Sequence, residues 1–142
     1  MDIKRIALAF AAGFAAVLVF HQGMAIILYL LGGLPAFPYS FAPRPPFGVP
    51  AVISSSFFGG LWGIALVFLL DAKPEWPAIP VGIVFGAVAL TFVALTVVAL
   101  FRGQPIAALD PFRWWRGMIL NGAWGLGVVL IMRMLDRRQA AT

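Results

Sequence analysis

Cysteine is absent from this 142-residue chain, and histidine occurs once, at His21. The lack of cysteine excludes disulfides, thiolate metal sites and cysteine nucleophiles. A single imidazole also excludes bis-histidine haem ligation within one chain, and a zinc site would need several further ligands. No catalytic motif stands out in what remains. We therefore expect no enzyme activity, no catalytic residues and no metal site.

Charged side chains are scarce and lie at the ends of four long apolar runs or in the connections between them. The runs contain no Lys, Asp or Glu, and each has about 20 residues or more, enough to cross a hydrocarbon core of ~30 Å as a helix. They cover residues 6–31, 51–70, 81–101 and about 114–135. We predict an all-α polytopic membrane protein, with residues 1–142 forming one four-helix transmembrane domain made of two hairpins.

The net charge of +5 comes from basic residues placed singly or in pairs beside the apolar runs. Because they form no basic tract, we expect the lipid bilayer and not a nucleic acid as the partner. With the N-terminus in the cytoplasm, six basic residues lie inside and four outside, which favours cytoplasmic N- and C-termini. The inner residues are Lys4, Arg5, Lys73, Arg133, Arg137 and Arg138, and the outer ones are Arg44, Arg102, Arg113 and Arg116.

The connection at 32–50 reads GGLPAFPYSFAPRPPFGVP and is rich in proline and aromatic residues. Proline disfavours a helix here, and a solvated linker would be more polar. One interpretation is an interfacial aromatic belt with turn prolines, and the other is a lid over a cavity. Arg44 in this connection is either solvated or able to bind an anion or a lipid head group.

The other two connections contain helix-start signals. Asp110-Pro111 predicts an N-cap followed by proline at the first helical position, and Pro80 suits the first turn of the third span. Trp114 and Trp115 follow at once, where an interfacial aromatic belt is expected.

The second and fourth runs share the pattern G-x-W-G, at residues 60–63 and 122–125. We interpret it as a parallel internal repeat of two hairpins, with chance similarity as the alternative. Small residues at helical spacing predict close packing, either within the bundle or in a homo-oligomer. The packing candidates are Gly59, Gly60, Gly63, Gly82, Gly86, Gly122 and Gly125, with Ala7, Ala11 and Ala15 on one face of the first span.

Polar side chains inside the spans are informative because lipid disfavours them. Counting ~1.5 Å per helical residue puts four of them about 22 Å from the cytoplasmic end. Together with a neighbouring glutamine they form a predicted polar layer: His21, Gln22, Ser55, Thr96 and Asn121. The layer is either an interhelical hydrogen-bond cluster or a binding site.

Taken together, FHQGM, PPFGVP, FFGGLWG and NGAWGLG resemble small four-span inner-membrane proteins of proteobacteria. The resemblance implies a bacterial inner-membrane location and brings no known activity. We therefore expect an accessory or structural subunit or a small homo-oligomer. The alternatives are a small transporter or channel with its site at the His21/Asn121 layer, and a haem or chlorophyll-type pigment held by His21 alone.

Overall fold

The structure is a computed structural model and describes residues 1–45, 47–101, 103 and 110–140. Within these residues, four helices are long and apolar enough to cross a membrane. The helices are α1 (Ile3–Leu30), α2 (Ala51–Ala72), α3 (Ala78–Phe101) and α4 (Pro111–Ala140). Two short strands, β1 (Pro43–Arg44) and β2 (Val49–Pro50), pair antiparallel just before α2. The prediction of an all-α four-helix membrane domain is confirmed.

The helix ends follow the local sequence. The Asp2 carboxylate accepts the Arg5 backbone N–H at 2.7 Å and caps α1, and Gly32, at φ +77°, ends the same helix in the left-handed conformation. Asp110 caps α4 by accepting the backbone N–H groups of Phe112 and Arg113. Pro80 lies in the first turn of α3, as the sequence predicts.

Two of the helices contain wide π-helical turns. One lies in α1 at Val17–His21, and two lie in α3 at Gly86–Leu90 and Ala94–Val98. Turns of this kind shift the direction of the side chains that follow and are frequent at functional sites.

The helices pack as the two predicted hairpins. α1 packs along α2, α3 packs along α4, and the two pairs join through contacts between α1 and α4. By contrast, α2 and α3 have few contacts with each other. The helices are therefore in contact throughout the bundle except on one side, where α2 and α3 are separated.

Glycine makes the close crossing in each hairpin. In the first, a methyl group on Gly13 or Gly63 would collide with the backbone of the opposite helix. In the second, a methyl group on Gly125 would collide with the Gly82 carbonyl. Close backbone approach of this kind holds helices together in lipid, where apolar contacts alone do not distinguish a partner from an acyl chain.

The predicted packing residues fall into three groups. Gly59, Gly60, Gly63, Gly82, Gly86 and Gly125 all lack room for a methyl group. At Gly122 the nearest atom to an added methyl would be 3.5 Å away, so the helices do not need glycine there. The alanine face predicted for the first span does not pack within the bundle: Ala7 and Ala11 are exposed, and the buried small residues are Ala9, Ala12, Gly13 and Ala16.

The end of the bundle that holds the termini is fastened by an ion cluster. The Arg5 guanidinium on α1 donates to both carboxylate oxygens of Asp71 on α2, at 2.8 and 3.0 Å. It also donates to Asp136 on α4 at 2.6 Å. A planar guanidinium suits this fork geometry, so one side chain joins three helices at this end.

Candidate functional site

A cavity of about 690 Å³ lies between the four helices, in the half of the bundle away from the termini. All four helices and the connection before α2 contribute to its wall. It is open where α2 and α3 part, and there Phe58 and Phe101 remain more than half exposed. Ligand pockets in proteins typically have volumes of ~300–1,000 Å³, so this one is large enough for a small molecule.

Most of the cavity wall is apolar, and its polar groups belong to a few side chains. Each of the three π-helical turns supplies part of the apolar wall: Val17 from the first, Leu90 from the second, and Ala94 with Val98 from the third. The described lining residues with polar side chains are His21, Arg44, Ser54, Ser55 and Asn121, with the indoles of Trp62 and Trp124. No carboxylate is among the described lining residues.

Three members of the predicted polar layer line this cavity: His21, Ser55 and Asn121. The other two do not line it. Gln22 is buried and accepts the Tyr39 backbone N–H at 2.9 Å, and the Thr96 hydroxyl donates to the Phe92 carbonyl of its own helix. Of the predicted layer, three residues therefore form part of the cavity wall, and Gln22 instead holds the connection at 32–50.

His21 lies at the end of the π-helical turn of α1 and is one of the residues that line the cavity. Its Nδ1 atom is buried and has no hydrogen-bond partner in the described part of the chain. Buried polar atoms are nearly always paired in native proteins, so an unpaired one needs an explanation. One such explanation is a neutral imidazole with its proton on Nε2, because Nδ1 then has no N–H group that needs an acceptor.

Asn121 is held by a residue outside the predicted layer. Its Nδ2 group donates to Thr91 Oγ1 at 2.9 Å, and Thr91 is fully buried in α3. Thr91 is one of the few polar residues inside the spans, but the depth estimate favours Thr96 instead. The two threonines lie little more than one turn apart. A depth counted from a span boundary cannot distinguish positions that close.

Both tryptophans of the repeated G-x-W-G pattern line the cavity, and they are its innermost residues on α2 and α4. Trp124 is 1% exposed and donates its indole N–H to the Gly13 carbonyl at 3.0 Å, which joins α4 to α1. Trp62 packs edge-on against Phe85 at 5.9 Å between ring centroids. The repeated pattern thus marks equivalent places in the two hairpins.

The connection at 32–50, of which Pro46 lies outside the described residues, folds back over this end of the bundle. The Tyr39 hydroxyl donates to the Leu18 carbonyl at 2.5 Å, inside the π-helical turn of α1. Val52 and Ala51 donate their backbone N–H groups to Ser40 and Ala42, each at 3.0 Å. Arg44, Pro45, Phe47 and Val49 line the cavity. This arrangement favours the lid interpretation.

The residues predicted at the interface lie at the same end as the cavity. Arg44 is exposed and has no carboxylate partner among the described residues, whereas Arg113 pairs with Asp110 at 3.1 Å. Trp114 packs against Phe92 at 6.4 Å, and Trp115 is 38% exposed. Arg102, one of the four basic residues assigned to this side, lies outside the described residues.

Comparison with protein-family models, with curated proteins and with solved structures finds no match for this chain.

Proposed function

We propose that this protein is a non-enzymatic protein of the bacterial inner membrane that binds a small lipid-soluble molecule between its helices. The single observation that carries the proposal is the cavity of about 690 Å³, apolar over most of its wall and polar at His21, Ser55 and Asn121. This proposal agrees with the alternative of a small transporter or channel whose site lies at the His21/Asn121 layer.

The route of entry supports a ligand from the bilayer. The cavity opens between α2 and α3, beside exposed aromatic side chains that lipid would surround. The opposite end of the bundle is joined by the Arg5, Asp71 and Asp136 cluster, and none of these residues lines the cavity. A molecule dissolved in the bilayer reaches the site from the side, without crossing that cluster.

The expectation of an accessory subunit or homo-oligomer now has less support. It rests on the small residues at packing spacing and on the lack of reactive groups, and six of the seven proposed packing glycines pack tightly within the chain itself. These glycines therefore already contact other helices of the same chain and offer no surface to another subunit. Partner proteins remain compatible with the remaining lipid-facing surface.

The single-histidine haem or pigment site is also less favoured. A metal-bound imidazole almost always donates its second N–H to a carboxylate, a carbonyl or water. Nδ1 of His21 has no such partner in the described part of the chain. A pigment bound through Nε2 would therefore depend on water as the second partner of this ring.

The test is binding of hexadecanol, a neutral lipid-soluble probe, to the detergent-purified protein, measured by native mass spectrometry. We expect one retained molecule per chain. The variant A94F fills the cavity from α3 and should reduce occupancy at least about 10-fold, because a phenyl ring takes space that the chain of the probe needs. The matched control A65F makes the same change at an exposed position of α2 outside the cavity and should bind normally.

Equal binding to the parent protein and to A94F would place the probe on the outer surface and overturn the proposal. Absence of retained probe in all three proteins would overturn it as well. Circular dichroism and size-exclusion profiles of both variants establish that each has kept its helical fold.

A further inference from the structure

Among the residues that the structure describes, one charged residue, Arg44, lines the cavity. Neither the volume of the cavity nor its apolar wall explains a role for this charge. Arg44 contributes to the wall from the connection, and it forms no ion pair with the described residues. No Asp or Glu of the described chain lines the cavity, so no carboxylate there neutralises the guanidinium. An unpaired cation in the wall of an apolar cavity favours an anion at that position.

The other polar residues of the cavity wall can all donate hydrogen bonds. Ser54 and Ser55 line the wall near the start of α2, and each carries a hydroxyl. Asn121 uses one amide N–H on Thr91, which leaves its second N–H as a donor and its oxygen as an acceptor. The polar lining of the cavity thus combines one cation, two hydroxyls, an imidazole and a side-chain amide.

The imidazole of His21 is best understood as another donor. Its Nδ1 is buried and has no partner among the described residues, and buried N–H groups without an acceptor are rare in proteins. A neutral imidazole carries one proton, so the tautomer that suits this site has its hydrogen on Nε2. Nε2–H can then donate to an oxygen of a ligand in the cavity.

We propose that the cavity takes an anionic amphiphile, whose carboxylate or phosphate oxygens meet Arg44 and the neighbouring donors while its hydrocarbon chain fills the apolar wall. This inference rests on the proposed function and specifies the ligand class of that site. Arginine suits such a head group because its planar fork binds carboxylate and phosphate oxygens in pairs. The chain leaves between α2 and α3, where the cavity is open to lipid.

The experiment compares three probes on the full-length protein: hexadecyl phosphate, hexadecanol and inorganic phosphate. We expect hexadecyl phosphate to bind about 10-fold more tightly than hexadecanol, since a charge-assisted hydrogen bond at a partly exposed site strengthens binding by about that factor. R44Q should remove this preference and leave hexadecanol binding unchanged. R44K should restore part of it, because lysine keeps the charge and loses the fork.

R113Q is the matched control, because it removes one positive charge from the same end of the bundle at a residue outside the cavity. It should keep the preference for hexadecyl phosphate. Equal loss in R113Q and R44Q would mean a general surface potential and would overturn the inference. So would displacement of hexadecyl phosphate by inorganic phosphate at similar concentration, because the site would then select a free anion.

The two proposals fail in different ways. If hexadecanol and hexadecyl phosphate bind equally well and both are lost in A94F, the cavity binds lipid-soluble molecules but does not select an anion. If neither is retained, the proposed function itself is wrong.

Discussion

At the scale of single residues, glycine determines how closely the two helices of each hairpin approach. Gly125 on α4 faces the Gly82 backbone of α3 so closely that a methyl group has no space. Gly122, about one turn earlier on the same helix, has its nearest neighbour 3.5 Å from the position of an added methyl. Two glycines of one pattern therefore have different structural roles.

This difference predicts opposite effects for the same substitution. G125A should destabilise the protein by about 1–3 kcal/mol, because the new methyl meets backbone atoms and the helices must move apart. G122A should be neutral or stabilise by up to about 1 kcal/mol, because alanine favours the helix over glycine. Thermal unfolding in detergent, followed by circular dichroism, measures both. A G125A protein as stable as G122A would contradict the crossing described here.

At the scale of elements, the lid depends on a few hydrogen bonds between the connection and α1. Tyr39 makes two of them, through its backbone N–H to Gln22 and through its hydroxyl to Leu18. The wide turn of α1 at Val17–His21 contains the Leu18 carbonyl that accepts the hydroxyl. The same turn ends at His21, so one irregularity of α1 both anchors the lid and supplies a cavity residue.

Y39F tests this anchor. Loss of one hydrogen bond of about 0.5–1.5 kcal/mol should make local opening about 2- to 12-fold more frequent. Hydrogen–deuterium exchange of peptides that cover residues 36–42 should become faster by that factor, with the transmembrane helices unchanged. The other tyrosine provides the control, because Tyr29 packs its ring against Phe37 and its hydroxyl has no hydrogen-bond partner among the described residues. Unchanged exchange in Y39F would show that the lid is held in some other way.

The sequence predicts the helices of this fold much better than the contacts between them. Apolar runs predict the four helices directly, because only a helix of that length satisfies its backbone hydrogen bonds in lipid. The direction in which each helix faces is much harder to predict, since lipid-facing and bundle-facing side chains are both apolar. For that reason Ala7 and Ala11 resemble a packing face yet are exposed, and the depth count selects Thr96 where Thr91 makes the contact.

In the candidate site too, some residues could be predicted from the sequence and others could not. His21, Ser55 and Asn121 were predictable because polar residues are rare in spans and their depths agree. The three π-helical turns that supply part of the apolar wall have no signal in the hydropathy pattern. The part played by Phe47 and Val49 depends on how the connection folds back, which rests on hydrogen bonds from Tyr39, Ala51 and Val52.

At the scale of the whole molecule, the two ends of the bundle differ in chemistry. The end with the termini carries the Arg5, Asp71 and Asp136 cluster, and the other carries the lid and the cavity. An even number of spans puts both termini on one side of any membrane. Which side that is decides whether the site serves the outer or the inner half of the bilayer.

We predict cytoplasmic termini, because the sequence has six basic residues beside the spans on the side of the termini and four on the other side, and basic flanks are retained in the cytoplasm. Reporter fusions in a bacterial host test this directly. A cytoplasm-active fluorescent protein at the C-terminus or after Lys73 should be bright, and alkaline phosphatase at those positions inactive. Alkaline phosphatase inserted after Arg44 should be active, since the lid then faces the periplasm. The reverse pattern at all three positions would invert the orientation and place the cavity in the cytoplasmic half of the membrane.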